Sequence, residues 1–189
     1  MRTRNLGRSL GVGLLLAGAA SAQVLRNPSF ESPGDSTDLA AGWNRWGDWL
    51  NREEGWTPTH SGKCLLGYHH WQIPDAKDSG VYQDVVGAKK DGAYEFGIHA
   101  NLDKAKDSTR DPLTIELRLE ATVDDHQQTL ASKLYRVADL KPGHWEKLTV
   151  TGKTTNDTLR VLVIVTPSAD DASRGGAIRF DDAFLNQAN

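Results

Sequence analysis

Leu113-Thr114-Ile115-Glu116-Leu117-Arg118-Leu119-Glu120 alternates apolar and polar side chains without a break. A period of two puts the leucines and Ile115 on one face of a strand, and Thr114, Glu116, Arg118 and Glu120 on the other. The stretch upstream repeats the pattern: Tyr94, Phe96, Ile98 and Ala100 alternate with Glu95, Gly97, His99 and Asn101. Downstream, Leu159 to Val165 (LRVLVIV) is nearly all apolar and β-branched, as a strand covered on both faces would be. Ala177 to Leu185 (AIRFDDAFL) reads as the last strand. Between Val123 and Val137 the apolar spacing suits a helix poorly. A turn at Asp124-Asp125 followed by another strand is expected there. Glycine and proline punctuate the first half too often for long helices. The count is roughly eight to ten strands at intervals of about ten to fifteen residues. The expected fold is all-β, an antiparallel β-sandwich of jelly-roll type.

The chain has 189 residues, enough for one sizeable domain. Arg2, Arg4 and Arg8 precede the apolar run Leu10 to Ala20, and Ala20-Ser21-Ala22 suits cleavage. Residues 1–22 therefore read as a signal peptide and 23–189 as a single domain. The expected location is secreted, periplasmic or at the cell envelope, with no stable membrane anchor after signal removal. Without those three arginines the net charge of −3 becomes about −6. Such a balance disfavours nucleic acid, whose binders present a basic stripe. One cysteine, Cys64, precludes an intramolecular disulfide and a cysteine-built zinc site. A monomer is expected.

Several short segments occur in order: Asn27-Pro28-Ser29-Phe30-Glu31, Ala41-Gly42-Trp43, His60-Ser61-Gly62-Lys63, Gly80-Val81-Tyr82-Gln83-Asp84-Val85, Gly92-Ala93-Tyr94-Glu95-Phe96 and Ile178-Arg179-Phe180-Asp181-Asp182. In these the chain resembles the CenC-type carbohydrate-binding modules, jelly rolls of the galactose-binding-like class. The resemblance runs from about Val24 to Leu185. It implies a glycan held in a cleft across a concave sheet, with Trp43 as a core aromatic. It also implies a structural calcium ion where the two ends of the chain meet. Glu31, Asp181 and Asp182 would supply carboxylates, with Asn27 and the turn around Ser61 and Lys63 completing the six to eight oxygens that calcium takes.

The aromatic residues are unevenly spread. Of the six tryptophans, Trp43, Trp46, Trp49, Trp56 and Trp71 fall between residues 43 and 71, near Tyr68, His69, His70 and Tyr82. Aromatic faces stack on the C–H side of pyranose rings while polar neighbours take the hydroxyls. The candidate sugar contacts are Trp46, Trp49, Trp56, Tyr68, His70, Trp71, Tyr82, His99 and Arg118, the last two from the polar faces of their strands. The expected partner is a neutral or weakly charged polysaccharide or oligosaccharide, bound without chemistry.

Two other functions use the same residues. A jelly-roll polysaccharide lyase would employ Tyr82, His69-His70, His99 and Arg118 as base and charge neutraliser. An envelope or adhesion module would bind protein instead. No nucleophile elbow, HExxH or phosphate-binding glycine loop is present in the sequence.

Overall fold

The computed structural model describes residues 25–47, 50–54, 58–69, 78–103, 114–167 and 177–188. Within them lie ten strands: β1 Asn44–Trp46, β2 Leu50–Glu54, β3 Cys64–His69, β4 Ser79–Val86, β5 Ala93–Leu102, β6 Thr114–Val123, β7 His126–Arg136, β8 Trp145–Lys153, β9 Thr158–Thr166 and β10 Ala177–Ala188. The other regular element among the described residues is a single 3-10 turn, Val137–Asp139. Every strand pairing is antiparallel. The strands form two five-stranded sheets, ordered β1-β4-β9-β6-β7 and β2-β3-β10-β5-β8. This is the expected antiparallel jelly-roll sandwich. The leader expected at residues 1–22 lies outside the described residues.

The period-two reading sets the core directly. Ile115, Leu117 and Leu119 of β6 face inward and are fully buried, opposite Phe96, Ile98, Phe180 and their neighbours in the other sheet's half of one core cluster. On β9 the inward set is Leu159, Val161, Val163 and Val165. The β6–β7 hairpin closes at Asp124 and Asp125, whose φ angles of 48° and 61° are both left-handed. That is the two-residue turn whose twist matches a hairpin, and aspartate tolerates it better than most side chains.

The opening NPSFE motif is a structural knot. Asn27, left-handed at φ 49°, sends its amide Nδ2 to the carbonyls of Ser32 and Ala41, and its Oδ1 accepts from Ser32 N. Trp43 donates its indole N–H to the Asn27 carbonyl and packs against Phe30 at 5.4 Å, inside the core as expected. The fully enclosed Gln83 makes a reciprocal pair of bonds with the backbone of Arg26, fastening the first described residues to β4. Burial of an amide is tolerated because both its ends are satisfied.

Replacing Leu117 by Ala removes a fully enclosed side chain between the sheets. The expected loss is about 2–5 kcal/mol of unfolding free energy, read by urea denaturation, with a strand-dominated far-ultraviolet spectrum retained.

Candidate functional site

Because each strand turns one face inward, functional side chains collect on the two outer faces. On the β1-β4-β9-β6-β7 sheet, pairing aligns them in rows. One row runs Asn44, Tyr82, Leu162, Arg118 and Ser132. The next runs Trp46, Gly80, Ile164, Glu116 and Leu134. At about 4.8 Å per strand, each row extends about 19 Å.

Gly80 is what lets Trp46 lie down. A Cβ at position 80 would fall inside the indole ring, so the glycine leaves the space that the ring occupies. Tyr82 sits beside it, ring centroids 6.2 Å apart and tilted by 42°. The Arg160 guanidinium stacks over the other side of Tyr82 at 4.2 Å while clasping Asp84 through two bonds of 2.7 and 3.0 Å. Arg118 holds Glu116 with two bonds of 2.7 and 2.8 Å and reaches Glu120 at 3.2 Å. Ser132 Oγ donates to Glu116 as well. The bonds from Arg118, and after them the one from Ser132, hold the Glu116 carboxyl below its ordinary range, against the effect of burial. The same bonds keep Arg118 firmly cationic. Leu134 stands 65% exposed at the far end of its row. The near end opens into a groove of about 520 Å³ beside β1, bordered by Arg26, Asp35, Leu39, Trp43, Arg45 and Tyr82. On this face Arg118 and Arg160 meet Asp84, Glu116 and Glu120, and Arg136 in the next row meets Asp139.

Of the candidate sugar contacts, Trp46, Tyr82 and Arg118 are brought together here. Tyr68 is not on a binding face: it is wholly enclosed in the core, where burial raises the pKa of its phenol. His99 belongs to β5 in the other sheet and points away from this platform. The strands carrying His99 and Arg118 show the same alternation, and alternation alone does not say which sheet a strand joins. Tyr82, Arg118 and His99 therefore do not converge as a lyase's base and neutraliser would. Trp49, Trp56, His70 and Trp71 lie outside the described residues. Arg160 was not singled out from the sequence, although it is the one charge within LRVLVIV.

The residues expected to bind calcium cluster around the loop before β3. Asp181 Oδ2 accepts from His60 N and Ser61 N, and its Oδ1 accepts from Asp182 N. Asp182 takes Ser61 Oγ at 2.7 Å and His60 Nδ1 at 2.5 Å. Glu31 Oε1 accepts from Lys63 N and Cys64 N. Asn27 is spent on its own loop. Among the described residues, no three histidine, cysteine, aspartate or glutamate side chains are arranged to hold a metal ion. The donors here are N–H and O–H groups aimed at the carboxylates, so as arranged these residues form a hydrogen-bonded clasp. The clasp works because β10 bulges between Asp181 and Phe184, with Asp182 left-handed at φ 47°, and Ala183 N reaches the Pro28 carbonyl.

No protein-family model matches the sequence, and no curated protein does. Solved structures share the fold. One is a family 61 carbohydrate-binding module in complex with β-1,4-galactotriose, at 16% identity over 88% of this chain and 99% of that one, TM-score 0.59. A family 16 carbohydrate-binding module is similar at 17% identity over 86% and 99%, TM-score 0.56. So is the apo form of a cyclase from Fischerella sp., at 16% identity over 89% and 97%, TM-score 0.65. What is shared at such identities is the architecture. The chain has the jelly-roll fold found in carbohydrate-binding modules and in enzymes alike.

The clasp carboxylates titrate in opposite senses. The N–H bonds from Cys64 and, after burial's opposing effect, Lys63 hold Glu31 below its usual range. Its contribution to stability is present above the ordinary value and lost as pH falls through the lower folded value. Burial pushes Asp181 up to about 6 despite its N–H partners, so its contribution is full in acid and lost as pH rises through about 6. Acid unfolding of Glu31→Gln should be less steep below about pH 4.5 than that of the wild type, and the carboxyl carbon of Asp181 should titrate near 6 by NMR. Whether the clasp also takes calcium is read from the melting temperature in excess calcium and in chelator. A rise with calcium would show that the loop rearranges into a cage.

Proposed function

We propose that this protein is an exported, non-catalytic module that binds a neutral polysaccharide or oligosaccharide on the outer face of the β1-β4-β9-β6-β7 sheet. The observation that carries the reading is the indole of Trp46 laid across Gly80 with Tyr82 beside it. Two rings on one sheet face give a surface on which successive sugars stack. Arginine and carboxylate groups fixed by each other flank the rings, so little side-chain order is lost on binding. The similarity of fold to modules whose structures include one bound to galactotriose supports the reading.

Charge narrows the ligand. Arg118, Arg136 and Arg160 are each already matched to a carboxylate, and Glu120 adds a further negative charge. A strongly anionic glycan would meet repulsion, and a neutral chain would find donors and acceptors for its hydroxyls. The face is long enough for several sugar units. Stacking contributes about 0.5–1.5 kcal/mol per ring, so dissociation constants on the order of micromolar to millimolar are expected. Calcium is not part of this reading.

The test is polysaccharide retention by affinity electrophoresis, followed by calorimetry with oligosaccharides. Trp46→Ala and Tyr82→Ala, each checked for folding, should weaken binding by about tenfold or more, a loss of about 1.4 kcal/mol. Full binding by both folded variants would place the glycan elsewhere. Time-dependent release of reducing or unsaturated ends would indicate an enzyme.

A further inference from the structure

The opposite outer face, on the β2-β3-β10-β5-β8 sheet, carries a second constellation. A cavity of about 340 Å³ opens between Pro58, Thr59, Asn101, Asp103, Trp145 and Arg179, with Gly143 at its rim. Pairing puts Gly67, Arg179, Asn101 and Trp145 in one row across four strands, so the floor and one wall rest on the sheet itself. Trp145, the tryptophan far in sequence from the other five, contributes this wall.

The pocket is built around a deeply placed charge. The Arg179 side chain is 3% exposed, with Glu53 at 3.9 Å and Asp103 at 3.7 Å. Glu53 gains its place because position 67 is glycine: a Cβ there would strike the Glu53 carboxylate. Trp145 is partly exposed and braced from behind. His60 meets it edge-on at 5.5 Å and 70°, stacks on His99 at 3.9 Å and 13°, and is bonded to Asp182. The rim is fixed by backbone bonds, Gly143 N to the Leu102 carbonyl and Asp103 N to that of Ala177. These supports hold the wall in one geometry before any ligand arrives.

We propose that this cavity is a second saccharide site that takes a single neutral sugar ring, separate from the extended platform and not dependent on it. Its chemistry mixes roles. Asp103 accepts, Asn101 both donates and accepts, the Arg179 guanidinium donates, and Thr59 does either. A hydroxyl also donates and accepts, so neighbouring hydroxyls of one ring match a carboxylate and a guanidinium side by side. Trp145, in the cavity wall, supplies an aromatic ring for the sugar's C–H groups. Two carboxylates to one arginine disfavour an anion, and the arginine at the floor disfavours a cation. The volume lies at the small end of ligand sites, about 300–1,000 Å³, and suits one ring. Asn101 was noted in the sequence as a polar-face residue; Trp145 and Arg179 were not, because partners from five separate segments meet only in the folded chain.

The ring could come as a free monosaccharide or as the terminal residue of a chain. Saturation-transfer NMR on the full chain distinguishes these, using methyl β-glucopyranoside, methyl β-galactopyranoside and methyl α-mannopyranoside, the matching tetrasaccharides, and methyl glucuronide. At least one neutral pyranoside should receive transfer with millimolar affinity. Trp145→Ala should weaken it by about tenfold or more, and so should Asn101→Ala, the variant to use if the first does not fold. The dependence of transfer on Trp145 and Asn101 should persist in the Trp46→Ala and Tyr82→Ala backgrounds, even where these abolish polysaccharide retention. In the Trp46→Ala/Tyr82→Ala background, where the platform does not contribute, a tetrasaccharide bound no better than the pyranoside identifies a free sugar as the ligand, and one bound more tightly identifies a chain end. The proposal is overturned by absence of transfer from every neutral pyranoside, by transfer that folded Trp145→Ala and Asn101→Ala both retain, or by equal transfer from methyl glucuronide.

Discussion

The sandwich depends on two late strands entering the middle of sheets begun much earlier. β9 inserts between β4 and β6, and β10 between β3 and β5. Neither sheet is complete until residues after 158 arrive, so the inner faces of the early strands have no full cover before that. The contacts that close the core are consequently long in sequence, an arrangement that folds slowly because loop closure precedes its reward. The apolar density of LRVLVIV follows from this central position. Its inward residues are enclosed by the other sheet, while Leu162 and Ile164, facing outward, are also buried.

That closure also decides where chemistry can occur. With both inner faces committed to one cluster of Phe, Tyr, Leu, Ile and Val, polar and aromatic side chains that act on other molecules are left to the outer faces and the loop edges. The two faces differ. One is an open platform whose charged groups pair within it, as Arg118 does with Glu116 and Arg160 with Asp84. The other is indented, with a buried arginine lining a pocket and a tryptophan in contact with a histidine stack. The first geometry suits a chain lying across a sheet and the second a single small ring.

The chain ends are joined by polar contacts. The bulge at Asp181–Asp182 breaks the regular pairing of a central strand, an unusual place for two carboxylates, and the loop at His60–Cys64 supplies the N–H groups that occupy them. Glu31 does the same from the other end of the chain, so one short loop is gripped by both termini. Arg52 adds bonds to the carbonyls of Phe30, Glu31 and Thr37, tying the loop to β2.

Much of this was legible in the order of residues. Alternation at 94–101 and 113–120 named strands and their buried sides, and Asp124-Asp125 named a turn before a further strand. These are local facts: the period of a strand and the φ preference of a turn residue act over a few positions. Other matters were not local. Tyr68 alternates on the buried side of β3, yet its membership of an aromatic-rich stretch suggested a ligand face. Only the pairing of β3 with β10 shows that side to be interior. His99 and Arg118 stand on equivalent polar faces of consecutive strands but belong to different sheets, so they look out from opposite sides of the molecule. Carboxylates that the family resemblance assigned to calcium are found engaged by backbone N–H groups, because a bulge and a loop separated by about 120 residues in sequence meet in space. Sequence by itself determined which residues go inward along each strand. Which strands share a sheet, and so which outward residues meet, was decided by long-range pairing, since strand order depends on closing the whole core and no single segment carries that information.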